Sequence, residues 1–376
     1  MTLKVLVAAD SFKGSLTSIQ FVQAVKEVAD KLDSNIHVSG IPLADGGEGT
    51  LDALEFACGG ERRTCEVEDP LGRLIQASYL VVDRVAMIEL AQSTGLTLLA
   101  PSERDPLHAS SFGLGQVLVE VLNQPDIDQI ILGIGGSATN DGGMGMVEAL
   151  GLYALDAQGN RIKRGGAYLR HIVSWDKSAE HPRLREVPIV VMTDVQSPLC
   201  GPIGASRVYG PQKGASNADV DLLEEGMEHL SILLEQSFAT PIGELPGSGA
   251  AGGIGAALVA FCGATLVSGV DRILDLTGFD QKVQDVDIVI TGEGRTDEQT
   301  KQGKAVLGVA KRASSHPCDV ISLSGSLGDD IQFLYHSGVT AAFSICSRPM
   351  AEREAMEQAY SLVKAAIENV LRLYLK

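Results

Sequence analysis

The sequence predicts an α/β protein of two domains, the first discontinuous and the second inserted into it. Three observations carry this expectation. Short, doubly apolar runs alternate with amphipathic helical stretches, the pattern of a parallel sheet covered on both faces. That style lapses near Cys65 and resumes at Asp287. Glycines cluster where predicted strands end, instead of spreading evenly along the chain. Residues 1–65 and 285–376 therefore form one expected α/β domain, and residues 66–284 a second. The cleft between them is the expected active site, since ligands favour domain interfaces.

The elements follow in order. Leu3–Ala9 is a Val- and Leu-rich run that reads as a buried strand. Thr17 and Gln20 have capping-box spacing, and Val22, Val25, Val28 and Leu32 then recur at helical intervals. A second strand covers Ile36–Ile41. Residues 64–90 read as shorter, antiparallel strands around a turn at Asp69-Pro70-Leu71-Gly72. The middle alternates a helix at 109–123, a strand at 129–133, a helix at 144–151, a strand at 188–193 and helices at 218–237 and 254–263. Apolar strands return at Asp287–Thr291, Val320–Ser324 and Val339–Ile345. A last helix over 351–375 would place Met356, Tyr360, Val363, Ile367, Val370 and Tyr374 on one core-facing stripe.

Bulk properties exclude several classes. The 376 residues are 45% apolar and 21% charged, an ordinary soluble balance, with room for two cores. A net charge of −18 argues against nucleic-acid and anionic-membrane partners, both of which need a basic footprint. No apolar run reaches membrane-spanning length and no signal-peptide pattern opens the chain, so a cytoplasmic protein is expected. The six cysteines include no C-x-x-C pair and read as reduced thiols.

The chemistry is carried by five polar clusters at strand ends. They are Asp10–Ser15 (DSFKGS), Ala44–Thr50 (ADGGEGT), Gly133–Gly143 (GIGGSATNDGG), Thr193-Asp194, and Thr291–Asp297 (TGEGRTD). Any one alone could be a structural turn. Five that set carboxylates beside small residues point to phosphoryl transfer, which needs backbone N–H groups and cations for phosphate, carboxylates for Mg2+, and a group that positions the acceptor hydroxyl. Gly135, Gly136, Ser137 and Asn140 are candidates for holding nucleotide phosphates, with Gly249, Gly252 and Gly253 in the second Gly-rich junction. Asp45, Glu48, Asp141 and Glu293 are candidate metal or hydroxyl ligands. Lys13, Lys213 and Arg295 are the cations in or beside these loops, against the bland reading of solvated loop side chains. Asp194 ends the apolar run Ile189–Met192 and is the candidate base; a turn cap is its bland alternative.

The commoner kinase layouts are absent: there is no G-x-x-x-x-G-K-[ST], no H-R-D and no D-F-G. One rival is a nicotinamide-dependent dehydrogenase, because Gly133-x-Gly135-x-x-Ala138 meets the loose dinucleotide fingerprint, with Asp156 at a suitable distance. Asp141 would then lie beside the pyrophosphate with no cation to offset it. A non-catalytic nucleotide-binding regulator is the other, though it gains little from grouped carboxylates that repel one another.

The motifs DSFKGSL (Asp10–Leu16), PLADGGEGT (Pro42–Thr50), GIGGSATNDGG, PLCGPIGAS (Pro198–Ser206), YGPQKGA (Tyr209–Ala215), PGSGAAGGIG (Pro246–Gly255) and TGEGRTDEQT (Thr291–Thr300) resemble those of the bacterial glycerate kinase family that includes the glycerate 2-kinases. The blocks are ordered from residue 10 to residue 300, and the likeness covers essentially the whole chain. The resemblance implies a Rossmann- or flavodoxin-like domain paired with a second α/β domain. It further implies ATP- and Mg2+-dependent phosphorylation of D-glycerate, typically to 2-phosphoglycerate in the catabolism of sugar acids. On that footing Asp10, Ser11, Asp45, Gly46 and Gly47 are assigned to substrate, with Lys13, Arg295 and Asp194 as catalytic residues. Lys213 joins the nucleotide-binding set, and Glu48, Asp141 and Glu293 the metal set. No nucleic-acid or membrane partner is expected, and a homodimer stays open.

Overall fold

A computed structural model describes residues 2–44, 46–298, 300 and 305–375. Its strands in chain order are β1 (Leu3–Val7), β2 (Ile36–Gly40), β3 (Glu61–Glu68), β4 (Leu74–Val82), β5 (Val85–Glu89), β6 (Gln129–Gly133) and β7 (Tyr153–Leu155). These are followed by β8 (Ser174–Asp176), β9 (Ile189–Met192), β10 (Thr265–Val267), β11 (Ile288–Thr296), β12 (Asp319–Leu327) and β13 (Ala341–Ser344). The chain divides into two compact units. One holds Met1–Asp45, Asp52–Gly59 and Ser268–Lys376; the other holds Gly46–Leu51 and Gly60–Val267.

The first unit is built on a parallel sheet in the order β13-β12-β11-β1-β2. Counted along the unit this is 2-1-3-4-5, the flavodoxin-like order. Val5, Val7, Ile288, Ile290, Ile321 and Leu323 face a core shared with helices Ser18–Leu32 and Ala359–Tyr374. Leu6 and Val289, on the opposite face, are also buried, as a doubly covered parallel sheet requires. The first helix starts at the expected capping box: the Thr17 hydroxyl accepts the Gln20 N–H at 3.1 Å, and the Gln20 side chain accepts the Thr17 N–H at 2.9 Å.

The second unit carries a mixed sheet in the order β10-β9-β6-β5-β4-β3. Strands β5, β6, β9 and β10 run parallel, whereas β3, β4 and β5 form the antiparallel meander expected for residues 64–90. Helices Phe112–Asn123, Met144–Ala149 and Ala250–Cys262 share its core. A separate two-stranded ribbon, β7-β8, was not expected from the sequence. Its strands are only three residues each, too short for a period-2 signal.

Two elements differ from expectation in ways that bear on function. Strand β11 continues through Glu293 and Arg295, which pair with Ser324 and Ser326 of β12; the TGEGRT motif is therefore strand for most of its length, where a loop was expected. Glycines lowered the apparent strand propensity there, but the pairing with β12 outweighs it. The single C-terminal helix is in fact two, Glu352–Glu357 and Ala359–Tyr374, broken at Gln358. Val363, Ile367 and Val370 lie in the core as expected, while Met356 stays 38% exposed.

Candidate active site

In the first unit the expected residues converge where β1 and β11 end. Between these adjacent strands the sheet order reverses, the place where ligands enter open α/β sheets. Asp10 follows β1 and is held by its N–H donating to the Gly292 carbonyl at 2.9 Å, while its Oδ1 accepts the Ser11 N–H at 2.7 Å. The loop then folds back on itself, with the Phe12 N–H donating to the Leu16 carbonyl at 2.8 Å. This turn leaves Lys13 exposed. From β11 come Glu293, only 5% exposed, and Arg295, whose Nε lies 2.9 Å from Asp297 Oδ2. The hydroxyls of Thr296 and Thr300 donate to Glu293 Oε1 at 2.8 and 2.7 Å and fix that carboxylate. Asp10, Ser11, Lys13, Glu293 and Arg295 all line one cavity of about 650 Å3.

In the second unit three glycine-bearing segments lock together at the ends of β6 and β9. The Gly135 N–H donates to the Gly46 carbonyl at 3.0 Å, and a Cβ on Gly135 would stand 2.6 Å from Gly47 Cα. The Gly142 N–H donates to the Gly252 carbonyl at 2.9 Å, and the Gly249 N–H donates to the Ser197 carbonyl at 3.0 Å. Residues 251–253 take left-handed conformations at the start of helix Ala250–Cys262, so Gly253 lies in a twisted entry to the helix. Much of what reads in sequence as a phosphate cradle is thus backbone packed against backbone. The exposed part of the first loop is its tip at Gly136, beside the buried Ser137.

Asp141 and Lys213 are both buried. Asp141 is fully buried, and four donors reach its carboxylate: the Ser111 N–H and hydroxyl, both at 2.8 Å, and the N–H groups of Gly143 and Gly145 at 3.1 and 3.2 Å. Burial pushes its pKa up, and these hydrogen bonds oppose the shift. Lys213 is 2% exposed and donates from Nζ to the Thr139 carbonyl at 2.5 Å. Burial pulls its ammonium down to about 7, against the pull of the Asp141 charge. The neighbouring Asn140 is buried; its Nδ2 donates to the Ser206 hydroxyl at 3.0 Å, and its Oδ1 has no hydrogen-bond partner among the described residues.

Asp194 is half-buried directly after β9, beside Thr193, whose hydroxyl accepts the Val195 N–H at 3.2 Å. Glu48 is exposed and accepts from the Thr97 hydroxyl at 2.7 Å. Asp45 lies outside the described residues. Among the described residues no three His, Cys, Asp or Glu side chains converge on a point that could hold a metal. The expected metal candidates differ in their local settings: Glu48 is on an exposed loop, Asp141 is inside a buried hydrogen-bonded network, and Glu293 lines the first unit's cavity.

Sequence reasoning missed Glu89. This buried carboxylate ends β5 and accepts the N–H groups of Gly49 and Leu51 at 3.2 and 3.1 Å, tying down the Gly46–Leu51 segment. The run Met87-Ile88-Glu89-Leu90 held the signal, a carboxylate at the carboxyl end of an apolar strand. Ser111, by contrast, left no signal, because its partner is thirty residues away.

Comparison with known proteins decides the family. The model of the "Glycerate kinase family" matches residues 5–375. The chain belongs to the glycerate kinase family. It is 44% identical to a glycerate kinase of Halalkalibacterium halodurans, over 97% of both chains. It is 40% identical to the glycerate 2-kinase of Escherichia coli, over 98% of this chain and 97% of that one. A crystal structure from Salmonella typhimurium LT2, assigned as glycerate kinase 2, matches with a TM-score of 0.85 at 39% identity, covering 100% of this chain and 98% of that one. This glycerate kinase family member is therefore an α/β kinase. No helix among the described residues is long and apolar enough to cross a membrane.

Proposed function

We propose that this kinase transfers the γ-phosphoryl group of ATP to D-glycerate and releases 2-phosphoglycerate. The observation that carries the reading is the grouping of Asp10, Ser11, Lys13, Glu293 and Arg295 around one cavity at the switch point of a flavodoxin-type sheet, in a chain of this family. Phosphoryl transfer asks little covalent chemistry of the protein, so positioning and charge neutralisation dominate. Lys13 and Arg295 supply the cations that offset charge on the transferring group. Glu293 is assigned to Mg2+, which characteristically binds one or two carboxylates together with substrate phosphates and needs no three-ligand protein cage. When bound, the ion would neutralise phosphate charge. The Thr296 and Thr300 hydroxyls keep Glu293 oriented for that role.

The exposed tip at Gly136-Ser137 is assigned to phosphate, with Asn140 and the Gly249–Gly253 junction holding its shape. Asp141 and Lys213 fit a supporting role in that same scaffold. Asp194 is assigned to the acceptor hydroxyl, as the group that orients or deprotonates it, with Asp45, Gly46 and Gly47 assigned to the substrate and Glu48 to the metal. The cytoplasm, with its ATP, is the fitting compartment. The reading is tested by following ATP consumption with D-glycerate and identifying the product by phosphorus NMR. Turnover that depends on D-glycerate and yields the 2-phosphate supports it; a 3-phosphate product, or ATP consumption indifferent to glycerate, overturns it.

A further inference from the structure

We infer that the first unit's cavity receives the nucleoside of the nucleotide, its base lying against an apolar wall that the C-terminal helices provide. The inference rests on the kinase reading and adds which substrate this cavity is shaped for. One side of the cavity is polar, formed by the β1 and β11 residues already described. The C-terminal part of the chain adds a mainly apolar lining, Ile345, Met350, Ala355, Met356 and Ala359, with Glu352 as its one charged residue. D-glycerate is a three-carbon acid with a carboxylate and two hydroxyls, and has no surface that gains from such a wall. A nucleotide has both parts, a flat apolar base and a charged phosphate chain. Its phosphates would meet Lys13 and Arg295 while its base meets the methionines.

Two further observations point the same way. The cavity's 650 Å3 falls in the range of roughly 300–1,000 Å3 typical of sites for ligands far larger than glycerate. The break at Gln358 also sets Met356 apart from the buried stripe of Val363, Ile367 and Val370. That side chain is 38% exposed and lines the cavity. Gly14, at φ +77°, brings the Asp10–Leu16 loop against it, and a Cβ there would lie 3.1 Å from Met356 Cε. Methionine is suited to an aromatic ligand, because its sulfur is polarizable, its chain adapts, and sulfur–ring contacts are favourable.

The test is Ala355→Trp in the full-length protein, which fills the apolar side and leaves the charged residues in place. The KM for ATP is expected to rise about tenfold or more, with the KM for D-glycerate changing less than about twofold. A nucleotide KM that rises less than the glycerate KM, or does not rise, overturns the inference. Should the variant fail to fold, the wild-type protein decides through Cys346, a free thiol that lines the same cavity. Its alkylation, mapped by mass spectrometry, is expected to slow about fivefold or more when a nonhydrolysable ATP analogue is present without glycerate. An unchanged alkylation rate with the analogue overturns the inference. A failure of the kinase reading would show separately, as absence of glycerate-dependent turnover in the unmodified enzyme.

Discussion

Replacing Gly252 by alanine tests whether glycines in the second unit serve loop-to-loop packing. Gly252 has φ +68°, and a Cβ there would stand 2.1 Å from the Thr139 carbonyl oxygen and 2.7 Å from Asn140 Cα. Both are backbone atoms, so no rotamer change relieves the contact. The left-handed conformation costs alanine about 1 kcal/mol. Forced separation of the two segments adds about 1–3 kcal/mol, giving a loss of roughly 2–4 kcal/mol. Gly159 is the control: its φ is +80°, but nothing lies within 4 Å of its Cβ position, so Gly159→Ala should lose about 1 kcal/mol. Urea unfolding of both variants, read on the transition of this unit, measures the difference. Because the segment displaced is the one that carries Asn140, Gly252→Ala should also lower kcat, whereas Gly159→Ala should not. Equal stability losses in the two variants would refute the packing argument.

The other predictions are briefer. Asp194→Asn should lower kcat by about two to four orders of magnitude with circular dichroism unchanged; near-normal turnover removes Asp194 from the hydroxyl-activating role. For Lys213 the folded pKa of about 7 lies below the ordinary 10.5, so between them the unfolded chain binds one more proton and stability rises with pH. That contribution is at most about 1.4 kcal/mol per pH unit. Lys213→Met should abolish it, and urea unfolding at about pH 7.5 and about pH 9 should show a slope in the wild type that the variant lacks; an equal slope in both disproves it. Glu89→Gln turns an amide N–H toward the Gly49 or Leu51 N–H and should cost about 1–3 kcal/mol in thermal or urea unfolding. No measurable loss would mean that Glu89 does not anchor the Gly46–Leu51 segment.

Legibility in the sequence followed the range of the forces at work. Strands β1 and β6 and the capping box at Thr17 could be read directly, because burial on both faces and i to i+3 hydrogen bonds leave local patterns. The break at Gln358 could not, since the apolar period runs through it and only the surroundings of Met356 decide which face it takes. The extension of β11 was hidden for a similar reason: Glu293 and Arg295 are strand residues by virtue of Ser324 and Ser326, which lie thirty-one positions away.

The same distinction reshapes the candidate site. A glycine in sequence marks a place where a side chain is not tolerated, without saying whether ligand or protein occupies the space. At Gly135 and Gly252 the occupant is the protein's own backbone, at Gly47 and Thr139 respectively. Carboxylates are ambiguous in the same way. Asp141 and Glu293 looked equivalent beside their glycines, yet Asp141 meets four internal donors from Ser111, Gly143 and Gly145, while Glu293 is oriented by two threonine hydroxyls at the lining of a cavity. A fully buried carboxylate that already accepts from four internal donors offers a cation no approach, whereas one that lines a cavity can be reached by a ligand entering it. Glu293 is for that reason the stronger candidate for Mg2+, and Asp141 the stronger candidate for holding the loop in shape. Substituting each by its amide separates the two roles: Glu293→Gln should weaken Mg2+-dependent activity with stability preserved, and Asp141→Asn should lower stability first.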